Sequence, residues 1–176
     1  MRDLWSKNFI AEDITDTAQS IILEQCDTLE QRTKGKILAK VIEYYGPIKT
    51  YTTQGSFSAL AEASKMLGEQ KVDIQDSLGE IENSKFTYEF YLTSIATPNY
   101  KYRVLFIEYG ITFYPVSMTI DESIVLEISE DQYIECQTQN VFEEKLEKIL
   151  NSNKLEKVIN NLLAIVKKSE DINKIF

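Results

Sequence analysis

The spacing of apolar residues changes character along the chain: it is helical up to about residue 84, alternates beyond that, and returns to a helical period near the end. From Asp13 to about Arg32, Ile14, Ala18, Ile21, Ile22 and Leu29 share one side of a 3.6-residue repeat, with Asp13 or Thr15 placed to cap the first amides. This predicts an amphipathic helix. After Thr33-Lys34-Gly35, the residues Ile37, Leu38, Val41, Ile42 and Tyr45 form a second stripe that Gly46-Pro47 would close, so a second helix is expected. Ile48 to Thr53 is β-branched and reads as a short strand. Ser56 or Ser58 then caps a third helix, with Phe57, Leu60, Ser64 and Leu67 on one side and Gly68 at its end. Ile74, Leu78 and Ile81 extend a helical reading over Val72 to Asn83, although Gly79 lies inside it.

From Lys85 the period becomes two. Phe86, Tyr88, Phe90 and Leu92 alternate with Thr87, Glu89, Tyr91 and Thr93, the pattern of a half-buried strand with an aromatic face that Tyr100, Tyr102 and Phe106 would extend. Thr97-Pro98-Asn99 makes the turn. Tyr102 to Tyr109 is apolar on both sides at its middle, and Gly110 returns the chain into Ile111–Tyr114, a third strand that Pro115 ends. Met118 to Ile128 fits a strand carrying Ile124, Leu126 and Ile128 after an Asp121-Glu122 turn, or a short helix capped by Asp121. The β-branched pair Ile124-Val125 favours the strand. Tyr133 to Cys136 adds a short extended piece. Asn140 with Glu143 has the form of a capping box ahead of Phe142, Leu146, Ile149 and Leu150; Asn153 with Glu156 opens a second helix carrying Leu155, Val158, Ile159, Leu162 and Val166. The fold class is therefore α+β over a single domain, residues 1–176. It combines N-terminal helices, an antiparallel meander of three to five strands and a C-terminal helical pair packed on the sheet.

Composition narrows the chemistry. The chain has no histidine and only two cysteines, Cys26 and Cys136, far apart and in no CxxC. Histidine-dependent triads, the HExxH zinc site and the two-His iron site are thereby excluded, and a zinc ribbon is excluded with them. The residue inventory offers no catalytic set, no metal site and no cofactor motif. Six glycines include no GxGxxG, and Gly35-Lys36 has Glu30 and Ile37 where a phosphate loop needs Gly and Ser or Thr. The first residues are charged and polar between their few apolar ones, which predicts a cytoplasmic protein with reduced thiols. The longest aliphatic run, Leu162 to Val166, is too short for a membrane helix, which takes ~20 residues.

Charge adds direction. The net charge is −9, and Asp121 to Glu135 carries Asp121, Glu122, Glu127, Glu130, Asp131 and Glu135 with no Lys or Arg. Such a balance disfavours direct nucleic-acid binding and suits a partner with a basic surface. Tyr91 and Tyr109 have the opposite strand parity from the aromatic row, so they are expected beside the acidic segment on an exposed face. Asp121, Glu122, Glu127, Glu130, Asp131, Tyr91 and Tyr109 are accordingly the expected partner-binding residues.

The reading for function is a small, acidic, non-enzymatic binding module that occludes or neutralises a partner protein. Toxin-neutralising immunity proteins and phage-encoded inhibitors of host defence share this general composition. The alternative is a protein that binds or sequesters a small molecule or nucleotide, with a pocket between the aromatic sheet face and the helices. Tyr88, Tyr102 and Arg103 would hold a polar or anionic ligand there. Self-association is left open.

Overall fold

The computed structural model describes residues 17–48 and 85–173. The expected strand at 48–53 apart from Ile48, the helices at 56–68 and 72–83, and the start of the first helix at 13–16 lie outside these.

The first helix, α1 (Ala18–Arg32), opens at Thr17, whose hydroxyl accepts from the Ser20 amide at 3.1 Å while Ser20 Oγ accepts from the Thr17 amide at 3.0 Å. Ala18, Ile22 and Cys26 recur every fourth residue and are buried. Lys34 and Gly35 then both take left-handed backbone, φ 55° and 73°, and the helix stops. The chain continues as a strand, β1 (Ile37–Glu43), where the sequence pattern predicts a second helix. A largely apolar run of seven residues fits either period. Here it pairs antiparallel with the next strand from Ile37 opposite Ser94 to Glu43 opposite Tyr88, so a whole ladder of backbone groups is satisfied.

β2 (Phe86–Ser94) and β3 (Thr97–Tyr109) are joined through Ile95-Ala96, two residues before the expected turn. The Ser94 and Thr97 hydroxyls meet at 2.8 Å across that turn. The chain does not return as a strand over Ile111–Tyr114. Phe113 has φ 65°, and the extended backbone resumes only after Pro115, as β4 (Val116–Ile120). Pro115 has no amide hydrogen to give a ladder. Next comes α2 (Glu122–Ile128), the helical alternative for this segment. Asp121 caps it by accepting from the Ser123 amide at 3.0 Å. The helical period puts Ile124, Val125 and Ile128 inward and leaves Leu126 77% exposed, whereas a strand would have aligned Leu126 with Ile124 and Ile128. β5 (Tyr133–Cys136), α3 (Gln139–Leu150) and α4 (Asn153–Asn173) complete the order, with Thr138 rather than Asn140 capping α3.

The five strands form one antiparallel sheet in chain order, β1-β2-β3-β4-β5, and with the described helices give an α+β fold. Its helix-covered face supplies Ala39, Tyr88, Phe90, Leu92, Leu105, Ile107, Tyr109, Met118 and Ile120 to the core. Ile22 of α1, Ile124 of α2, Phe142 of α3 and Leu155 of α4 meet them there. No described helix packs on the opposite face. One irregularity decides which aromatic residues go where. Phe90 stands opposite Leu105 but Tyr91 stands opposite Arg103, so β3 spends an extra residue, Val104, in a bulge. The bulge reverses the parity of the first half of β3: Tyr102 turns to the helices and Arg103 to the opposite face.

Candidate functional site

The acidic segment is largely engaged within the molecule. Asp121 caps α2 and also accepts from the Ser123 hydroxyl and, at 3.3 Å, from Tyr102 Oη. Burial and the Asp121 carboxylate together raise the Tyr102 phenol above its ordinary value, with the Ser123 hydroxyl acting against them. Glu127 accepts from the amides of Asn153 and Lys154 at 2.5 and 2.7 Å and so caps α4 from outside it. Glu130 takes Lys145 at 2.7 Å and Lys148 at 3.1 Å, and these two ammonium groups hold its carboxyl below the usual carboxylate range. Only Glu122 and Asp131 of the expected acids are exposed with no partner among the described residues. No group of three or more His, Cys, Asp or Glu side chains among the described residues is placed to hold a metal ion.

The tyrosines expected on an exposed face are buried. Tyr109 lies opposite Phe86 on the helix side and stacks on Tyr88 at 5.8 Å, which leaves it 4% exposed. Burial, with Tyr88 alongside, pushes its phenol well above the ordinary range. Tyr91 does face away from the helices, yet it is 7% exposed and covered by the Lys101 ammonium 4.3 Å from its ring. The residues of the alternative ligand site are not brought together. Tyr88 belongs to the core, Tyr102 faces the helices at the far end of β3, and Arg103 is on the other side of the sheet.

A groove of about 780 Å³ opens elsewhere, over the helix-covered face of β1 and β2. Its floor is Ala39, Phe90 and Leu92 from the strands, with Leu155 and Ile159 of α4. One wall is α1, which presents Ile21, Glu24, Gln25, Thr28, Leu29 and Arg32, a stripe at helical spacing. The other is α3, which presents Gln139, Glu143, Leu146, Glu147, Leu150 and Asn151 in the same manner. Each wall therefore runs about three turns, on the order of 16 Å. Glu24 on one wall and Glu143 and Glu147 on the other are exposed, and none is paired with a cation among the described residues. Gln139 donates to Glu143 Oε1 at 2.8 Å. Two helices thus hold like charges apart above a greasy floor, and among the described lining residues only Arg32, at one end, carries the opposite sign.

The groove has a signature in the sequence that core periodicity passes over. In α1 and in α3 the buried stripe is flanked by a second, mixed stripe of leucine or isoleucine with glutamate and glutamine, wider than a single packed face needs. No protein-family model, no curated protein and no solved structure matches the chain.

Proposed function

We propose that this chain is a non-enzymatic cytoplasmic binding module that captures a partner protein through the groove between α1 and α3 and occludes the segment it holds. The segment is a short amphipathic helix with lysine or arginine along its polar edges. The observation that carries this reading is the groove itself, three turns long, apolar at its floor and edged from both walls by carboxylates that meet no cation among the described residues. An apolar helix face would cover Phe90 and Leu92, and its basic flanks would sit between Glu24 and Glu143 or Glu147, which is how helix-in-groove recognition divides affinity from orientation. The net charge of −9 would draw such a partner in and repel acidic competitors. The state of the thiols favours binding over covalent catalysis. Burial raises Cys26 to about 12 and Cys136 to about 11, so neither is a nucleophile at neutral pH.

The test is a photo-cross-linking residue at Gln25, on the groove wall, against one at the exposed Lys168 as control, in the native host. Cross-linked peptides would be sequenced by mass spectrometry. The expected product at Gln25 is one peptide with several Lys or Arg at helical spacing, reduced at least about tenfold when Glu24, Glu143 and Glu147 are changed to Gln. An acidic peptide, a second copy of this chain, or a pattern no different from the control would each overturn the proposal.

A further inference from the structure

The face of the sheet turned away from the described helices carries three exposed cations, Lys40, Lys101 and Arg103, in an acidic molecule. Lys40 of β1 stands opposite Tyr91, and Tyr91 stands opposite Arg103, with Lys101 two residues earlier on the same face of β3. Beneath them lies Glu89 of β2, 4% exposed, whose Oε1 is 2.6 Å from Arg103 Nε and whose Oε2 is 3.9 Å from Lys101 Nζ. A carboxylate that deep needs a counter-charge, which Arg103 supplies by a hydrogen bond and Lys101 by a longer ion pair. The three cations of this face therefore outnumber the one carboxylate they meet, and Lys40 and Lys101 are both exposed. The nearest other acid on this face of β3, Glu108, lies five residues on from Arg103, opposite Thr87.

Arg103 is also held still. Its guanidinium carbon is 4.6 Å from the Phe106 ring centre and 5.9 Å from that of Tyr44, and those two rings are themselves 4.7 Å apart. Aromatic packing and the Glu89 bond at Nε fix the plane of the group. Its two Nη groups have no hydrogen-bond partner among the described residues, and the side chain is half exposed. The result is a rigid guanidinium with its outer edge toward solvent, an ammonium on the same face two residues away and another across the sheet.

The geometry points to a phosphate-binding site on this face. Two Nη donors of Arg103 would take two oxygens of the phosphate side by side, the geometry that guanidinium groups favour with oxyanions. Lys101 and Lys40 would take the remaining charge. A phosphate is preferred over a carboxylate because its second negative charge and third oxygen match the surplus cations, which a planar monoanion would leave unmet. Glu89 does not oppose it, since the guanidinium stands between that carboxylate and the solvent.

The experiment titrates inorganic phosphate, acetate and chloride at matched ionic strength into the full chain, reading the Arg103 Nε–H resonance by NMR. A second arm uses a nucleoside monophosphate. Saturable binding is expected for phosphate with Kd of about 1 mM or tighter, and no saturation for acetate or chloride. Arg103→Lys, which keeps the charge beside Glu89 but removes the fork, should weaken phosphate at least about tenfold. Binding in this arm is read by calorimetry, with the melting temperature as the check on folding. Should that variant fail to fold, Lys40→Gln and Lys101→Gln, both at exposed positions, should each weaken binding about threefold. Tighter binding of the nucleotide than of phosphate would assign the site to a phosphate ester with its base on Tyr44; equal binding would assign it to the free ion. Phosphate acting no differently from chloride, or binding undiminished in all these variants, would overturn the site.

Discussion

Glu130 meets two ammonium groups of α3, and the consequence is a pH dependence of known sign. Its folded pKa lies below the ordinary value of 4.5, so its contribution to stability is complete above that pH and is lost as pH falls through the lowered value. Glu130→Gln should lower the melting temperature at pH 7 by about 1–4 °C, the gap closing in melts taken at pH 3. An undiminished gap at pH 3 would assign the loss to packing instead. The two thiols run the other way. Each is raised by burial above 9.0, so each favours the folded state fully below that pH and less as pH climbs toward about 11 for Cys136 and about 12 for Cys26. Neither should react with a disulfide reagent at pH 8 until denaturant unfolds the chain; reaction at the rate of an exposed thiol would contradict their burial. At this scale the sequence was legible where parity held and misleading where it did not. Tyr88 and Phe90 are core residues as their alternation implies, while Tyr91 and Tyr109, of like parity in the chain, lie on opposite faces of the sheet. An acid's position in a run also says little about the role it fills. Asp121, Glu127 and Glu130 look alike in sequence, yet they cap two helices and join an ion-pair cluster.

At the scale of elements, the misreadings share a cause. Residues 37–43 and 122–128 are both short apolar runs rich in Ile and Val; the first adopts the state its spacing argued against, and the second the state its β-branched pair argued against. Long segments were readable: α3 and α4 have enough turns for their stripes to exclude a strand, and β2 alternates over its whole length. Short ones are settled by neighbours. β1 forms because the edge of β2 offers seven pairings, and α2 forms because Asp121 can cap it. The bulge at Val104 had no signal at all, since nothing in Arg103-Val104-Leu105 marks an unpaired residue. It does make a sharp prediction. Deleting Val104 would remove the extra residue and leave Arg103 directly before Leu105, still opposite Tyr91 and on its present face, whereas replacing Val104 by Ala keeps the bulge and costs only packing. Both variants should unfold cooperatively by circular dichroism, the substitution at a cost of about 1–3 kcal/mol. Loss of cooperative unfolding in the deletion variant alone would show that the sheet needs the bulge itself and not only the side on which Arg103 lies.

For the molecule as a whole, the strand order follows the chain order, and one connection is far longer than the rest. β2, β3 and β4 succeed one another through short returns, whereas 42 residues separate Glu43 from Phe86. The β1–β2 ladder therefore joins residues further apart in sequence than any other neighbouring pair of strands. β1 is also an edge strand, so α1 and β1, joined by a tight turn, are expected to open before β2 to β4. Amides of α1 and β1 should exchange with solvent roughly tenfold faster than those at the centre of β2 to β4, read by native-state hydrogen exchange. Uniform protection across both would mean that the chain opens only as one body. Faster exchange of α1 and β1 would place the two walls of the groove in different cooperative units, α1 in one and α3 in the other. The width of the groove would then be an equilibrium property, and a helix bound between the walls would act as a staple across that seam.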